Sequence, residues 1–375
     1  MSKEKIEMES LIKQVQRNCN ISDAKENLME IESHFLEHLY RHEKKISIED
    51  NINKRAFDNW LKDKKLLWKE FSNKNYQKIE INDSIFDFSD NAGINKILVE
   101  NGYFYHMKDA YIGKPSFLLA KIMDMYKKEK YDIIILGDEL AKDLRRSYYS
   151  QCELIYNSIF CRTEAERFCL LEIIKKLKNK EMSKTENDIL IECLTKSGLK
   201  LAQVNKAILD KLVHEQIRVH ISHEFGHAIA RDKEIFPNNL FMDITNSFCG
   251  SEIEWFVDAV HEVFAETVDN GRLYFLKERK DMFLLGLYFY ETFSNYDLHP
   301  ILKFKMKILF GNPKNLKTIV LELIKTGNWD IIENIRKESY AKATEIVEDI
   351  KQINNDKMKK EKFLELINKY KLSSS

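Results

Sequence analysis

Proline and glycine are scarce in this chain of 375 residues, at 4 and 11 respectively. So few breakers argue against a loop-rich or low-complexity protein and favour long helices. Neither sign of charge is in excess, since Lys plus Arg and Asp plus Glu both number 60. That balance removes the electrostatic signature of a nucleic-acid or anionic-membrane binder. The most apolar stretch, Met282–Tyr290, falls far short of the roughly 20 residues that a membrane span needs. The opening segment MSKEKIEMESLIKQ lacks the apolar centre of a signal peptide. Cys19, Cys152, Cys161, Cys169, Cys193 and Cys249 form no CxxC pair and no compact framework, which predicts buried thiols in a reducing compartment. The expectation is a soluble cytoplasmic protein with no nucleic-acid partner, and export by a non-classical route stays open.

What is present is a dense helical pattern. Residues 3–45 read as one or two amphipathic helices, with His34, His38 and His42 spaced by four as a solvated stripe. Asn53–Phe71 continues in the same way, with Trp60 and Trp68 as packing aromatics. Short strands are expected in 78–113, where Ile79, Ile81, Ile85, Phe86, Phe88 and Tyr103–Tyr105 are punctuated by Asn-Ala-Gly and Asn-Gly turns. A helix over about 116–129 precedes Tyr131–Leu136, the clearest strand, and 139–178 reads as helical again. Arg145, Arg146, Tyr148 and Tyr149 form a charged and aromatic cluster there, read as a structural face. A polar break at 179–187 leads to another helix, Ser197-Gly198 makes a second break, and helix resumes from about 201. Phe236–Ser251, with its Pro, paired Asn and Gly, reads as a loop, and helix resumes at Glu252. The end of the chain, 306–375, is helical with breaks near 312 and 327.

One stretch carries chemistry: His223-Glu224-Phe225-Gly226-His227. On a helix, residues four apart lie one turn apart on one face, so both imidazoles can address one ion. Glu224, between them in sequence, can reach a water near that ion as a general base. Ile217, Ile221, Phe225 and Ala228 supply an apolar stripe beside the two His. A catalytic zinc needs a third protein ligand and a free fourth position. Glu262 leads the candidates, with Glu266 and Asp269 following at i+4 and i+7, and with His261 and Asp258 as rivals. A carboxylate at 266 suits the free ring N–H of a ligating His.

HExxH followed by Glu-x-x-x-Glu on a second helix resembles the gluzincin zinc peptidases. Around the motif, HEFGHA and EVFAE are most similar to the catalytic domain of anthrax lethal factor and its relatives. The resemblance implies His223, His227 and Glu262 as zinc ligands, Glu224 as base and Glu266 as the His partner. The sequence departs from that group by carrying Trp255 where a Tyr precedes the Glu ligand. It also carries Glu266 where many gluzincins have Asp. SNYDLHPILKFK, 294–305, resembles the His-Pro segment of CAAX-processing-type metallopeptidases, and the Lit phage-exclusion peptidases are a further intracellular HExxH group. Either would make His299 the donor to the tetrahedral intermediate, with Tyr296 or Tyr290 as substitutes; as plain sequence, His299-Pro300 also simply starts a helix.

These readings give a mainly α (α+β) protein. A helical N-terminal lobe with a small β element occupies 1–130, a zincin-like helical metallopeptidase core 131–310, and a C-terminal helical region 311–375. The expected function is zinc-dependent cleavage of a protein or peptide substrate. The alternatives are a catalytically inactive zincin-like regulator and a helical interaction protein whose HExxH arose by chance.

Overall fold

The computed structural model describes residues 7–25, 33–46, 50–110, 114–144, 146, 152–155, 157–294, 300–311, 313–354 and 359–372. The protein is mainly α-helical with a small sheet region, and it divides into two compact units, Met1–Glu172 and Ile173–Ser375.

In the first unit, helices α1 (Met8–Asp23), α2 (Ser33–Lys44) and α3 (Lys54–Phe71) precede a hairpin of β1 (Ile79–Ile81) and β2 (Ser84–Phe86). After α4 (Asn91–Leu98) come β3 (Tyr103–Ala110), β4 (Lys114–Lys128), β5 (Tyr131–Lys142), β6 (Cys152–Ile155) and β7 (Ser158–Arg162). These five make one sheet in the order β3-β4-β5-β7-β6, antiparallel except for the parallel β5–β7 pair. The edge strand β3 is closed by α4, whose Asn91 and Asn95 amides each bind a β3 residue through both its N–H and its C=O. Those side chains satisfy an edge that would otherwise offer unpaired backbone groups.

The helix expected over 116–129 is a strand. Phe117 and Leu119 enter one core with Tyr105, Met107 and Ala141, whereas Leu118 and Ala120 enter another with Phe104, Leu136 and Phe160. A strand covered on both faces shows no polar alternation, so its apolar run looks helical in sequence. The helix expected from 139 likewise begins only at Thr163, because β5 continues to Lys142 and β6 and β7 follow. A boundary at 130 would cut this sheet between its two most extensively paired strands, so the division falls after residue 172 instead.

Two further expectations are corrected in this unit. Cys152 and Cys161 are register partners on β6 and β7 and are joined as a disulfide, while Cys249, in the second unit, is exposed. The His stripe on α2 is not solvated: His38 is buried and stacks on Phe168 at 4.1 Å. Burial, then the Lys142 charge, pushes His42 down to about 3. The side chain of His34 lies outside the described residues.

Helix α5 (Thr163–Asn179) crosses the division. The second unit then contains α6 (Lys184–Lys196), α7 (Lys206–Asp232), α8 (Asn238–Ser247), α9 (Glu252–Thr267) and α10 (Arg272–Arg279). It is completed by α11 (Met282–Ser294), α12 (Pro300–Phe310), α13 (Pro313–Thr326), α14 (Asp330–Asn354) and α15 (Lys359–Leu372). Helix α9 is its centre, packed by α7, α8, α10, α12, α14 and α15. The expected loop at 236–251 is largely α8, because Ile244 is buried and Phe241 packs on α9. No separate C-terminal region starts at 311, since α14 and α15 pack directly on α9. Among the described residues no helix is long and apolar enough to cross a membrane.

The first unit also buries a pair of carboxylates. Asp23 accepts from the Leu144 N–H at 2.7 Å, and its second oxygen is buried without a hydrogen bond. Asp143 accepts from Phe117 N–H, Ser116 Oγ and Arg146 N–H. Burial first, and then Asp143, raises the Asp23 carboxyl well above its ordinary value. A carboxyl raised by folding binds its proton more tightly folded than unfolded, so its contribution to stability falls as pH rises above the unfolded value of about 4. Asp23→Asn keeps the acceptor for Leu144 and removes the titration. It should stabilise the protein at pH 8 by on the order of 1 kcal/mol, with little gain at pH 4. Urea midpoints at the two pH values check this, and an equal shift at both would remove Asp23 as the titrating group.

Candidate metal centre

Helix α7 begins at Asn205, whose side chain accepts from the Ile208 N–H at 3.1 Å, and runs unbroken through the HExxH stretch to Asp232. It is buried on several sides, as a helix inside a bundle should be. Gly226 sets its distance from α9. A Cβ at 226 would stand 2.2 Å from the Ala265 carbonyl oxygen and 2.8 Å from the Ala265 Cα. The two backbones therefore touch where the His and Glu side chains leave them. Gly271 approaches the same oxygen from another direction, where an added Cβ would lie at 2.5 Å.

This contact brings three expected ligands together. His223 Nε2 lies 3.4 Å from Glu262 Oε2, and His227 Nε2 lies 3.2 Å from Glu262 Oε1. Ligand atoms of His223, His227 and Glu262 all fall within 4.8 Å of one another. Each imidazole faces a different oxygen of the one carboxylate, so the three side chains are close enough to share an ion, with one Glu262 oxygen as its ligand. The Glu262 side chain is 31% exposed, against 10% and 12% for His223 and His227. Glu262 is thus the most exposed of the three side chains.

Glu266 holds the other nitrogen of the first His, with Nδ1 of His223 at 3.3 Å from its Oε1. The His223 ring is therefore bracketed by two carboxylates one helical turn apart. A carboxylate thus faces each ring nitrogen, and an ion bound at Nε2 would leave the Nδ1 proton to Glu266. Glu266 is fully buried and is countered by Lys305 Nζ at 2.6 Å and by Arg272 at 3.8 Å. Lys305 also lies 3.2 Å from Glu262 Oε2. Burial alone would raise both carboxyls, but Lys305 reverses this, helped by His223 at Glu262 and by Arg272 at Glu266. Both are thus held well below the usual carboxylate range.

The rival ligands stand beside the centre. The His261 ring stacks between His227, at 4.6 Å, and Phe241, at 5.0 Å. Burial and then the His227 charge push it down to about 3, so it is a neutral packing group. Burial, then Glu254 and Glu262, raise Asp258 to about 7. Asp269 is exposed and pairs with Arg336 at 3.0 Å. Glu224 is partly buried on α7 beside the ligands. His299 and Tyr296 lie outside the described residues, as do Arg145, Tyr148 and Tyr149. Arg146 is buried and bonded to Glu153 at 2.7 Å, a structural role.

Sequence reasoning missed Lys305 and Arg272. Lys305 is the middle one of three alternating Lys at 303, 305 and 307 on α12, and nothing local sets it apart from the other two.

A second group, His42, Glu139 and Glu164, also has ligand atoms within 4.8 Å of one another. There, however, Arg162 holds Glu139 Oε1 at 2.7 Å and Lys142 holds Oε2 at 2.8 Å. Both oxygens are taken by buried cations, so this group is a charge network of the first unit.

Gly226→Ala should force α7 and α9 apart, costing about 1–3 kcal/mol through overpacking. It should also lower zinc uptake, because the distances at Glu262 depend on that approach. Thermal melting and metal content of the purified variant check this; a variant with normal zinc uptake would show that the helix contact does not set the ligand geometry.

A search of curated proteins and a search of solved structures each return no match. Residues 10–162 match the N-terminal domain of a family of unknown function, DUF6866, and residues 173–370 match its C-terminal domain. These spans cover most of the chain and separate close to the division between the two units, so the protein belongs to the DUF6866 family.

Proposed function

We propose that the protein is a zinc metallopeptidase of the gluzincin kind, acting in the cytoplasm on a protein or peptide substrate. The observation that carries this is the placement of two imidazole nitrogens around both oxygens of one carboxylate, at 3.4 and 3.2 Å. His223, His227 and Glu262 would hold the ion. When bound, zinc supplies Lewis acidity toward a carbonyl and lowers the pKa of a water at its open position to about 7.

The chain's own residues supply the remainder. Glu224 sits about 100° round the helix from His223 and about 60° from His227, on the border of the ligand face. Its carboxylate would take the proton of the attacking water and pass it to the leaving amine. Glu266 fixes the His223 ring, so the ligand is held in one tautomer and one orientation before substrate arrives. A second reading, a zinc-binding regulator without turnover, is favoured by one observation: Lys305 already provides Glu262 with a cation.

Glu224→Gln separates the two readings. In the peptidase, the variant should retain one zinc per chain and lose activity on a peptide library by roughly 10²–10⁴-fold. Peptide hydrolysis read by mass spectrometry, alongside elemental analysis, provides the check. No zinc-dependent cleavage by the wild type would favour the regulator, and turnover persisting in the variant would remove Glu224 as the base.

A further inference from the structure

Lys305 is a poor fit to a simple ligand shell. It comes from α12, which packs on α9, and its side chain is only 7% exposed. Its ammonium touches both acidic residues of the centre, Glu266 at 2.6 Å and Glu262 at 3.2 Å. On Glu262 it takes Oε2, the same oxygen that faces His223 Nε2 at 3.4 Å. Lys305 and Arg272 are the cations beside these two carboxylates. A divalent ion bound at Glu262 would therefore stand next to a buried ammonium, where like charges are weakly screened.

We propose that Lys305 is the resident counter-cation of the centre, a positioning residue that holds Glu262 and Glu266 in the absence of metal and competes with zinc for Glu262. The inference rests on the reading that this centre takes zinc. One consequence follows from the shared oxygen. Zinc affinity is lowered, so loading follows the supply of free zinc rather than being permanent. Because Glu266 keeps Arg272 as a partner at 3.8 Å, the ammonium can swing off Glu262 without leaving a carboxylate bare.

The test uses the full chain, stripped of metal and titrated with zinc against a chromophoric chelator. Lys305→Met removes the charge, Lys305→Gln removes it while keeping an N–H donor for Glu266, and Lys305→Arg keeps it. Circular dichroism first confirms that each variant is folded. The expected result is at least about tenfold tighter zinc binding in whichever neutral variants fold, with the Arg variant within about threefold of wild type. Unchanged or weaker binding in a folded neutral variant, while wild type binds zinc, would overturn the role of Lys305 and leave the metal centre standing. Zinc binding by no form of the protein would overturn both.

Discussion

The contact of α7 with α9 at Gly226 is the constraint on which the centre depends. His223 and His227 are fixed to one helix and Glu262 and Glu266 to the other, so the ligand distances follow from how closely the two axes approach. Any side chain at 226 would meet backbone rather than a movable side chain, and packed interiors absorb such a mismatch poorly. The glycine is thus a geometric requirement within a helix that otherwise has no need of one. Around it, α9 is buried on most of its surface, which denies it freedom to slide along α7.

How far the sequence discloses this arrangement depends on the range of the interaction. His223, Glu224 and His227 are legible because their relation is set within one turn of one helix. Glu262 and Glu266 are legible because the same periodicity places them one turn apart on a second helix. Nothing local announces that Lys305 and Arg272 reach those carboxylates, since each arrives from its own helix by tertiary packing. The sheet was hidden for a related reason. Phe117 to Ala120 feed two cores in alternation, so the polar–apolar signal that marks a half-buried strand is missing, and Lys, Leu, Ala and Met bias the eye toward helix. The pairing of Cys152 with Cys161 required knowing the register of β6 on β7.

The two units handle buried acids in contrasting ways, and the contrast marks where chemistry can occur. In the first unit Glu139 is enclosed by Arg162 and Lys142 with its side chain fully buried, and Glu153 is bonded to buried Arg146. Such pairs offset part of the desolvation of their charges and place a buried cation on each Glu139 oxygen. His42 lies within reach of Glu139 yet faces an acid that is already satisfied. Its neutral ring belongs to the packing of that unit.

In the second unit the acids are less evenly countered. Glu266 is fully buried, with Lys305, Arg272 and His223 all at its Oε1 and with Oε2 buried without a hydrogen bond. Glu262, one turn away, keeps an oxygen directed at His227 and a side chain that is about a third open to solvent. The asymmetry between these two acids matches the proposed division of labour, in which the enclosed one would orient His223 and the open one would coordinate the ion. A carboxylate at 262 as deeply enclosed as the one at 266 would be a structural anchor. Lying between two imidazoles and an ammonium, it is the carboxylate on which the proposed coordination rests.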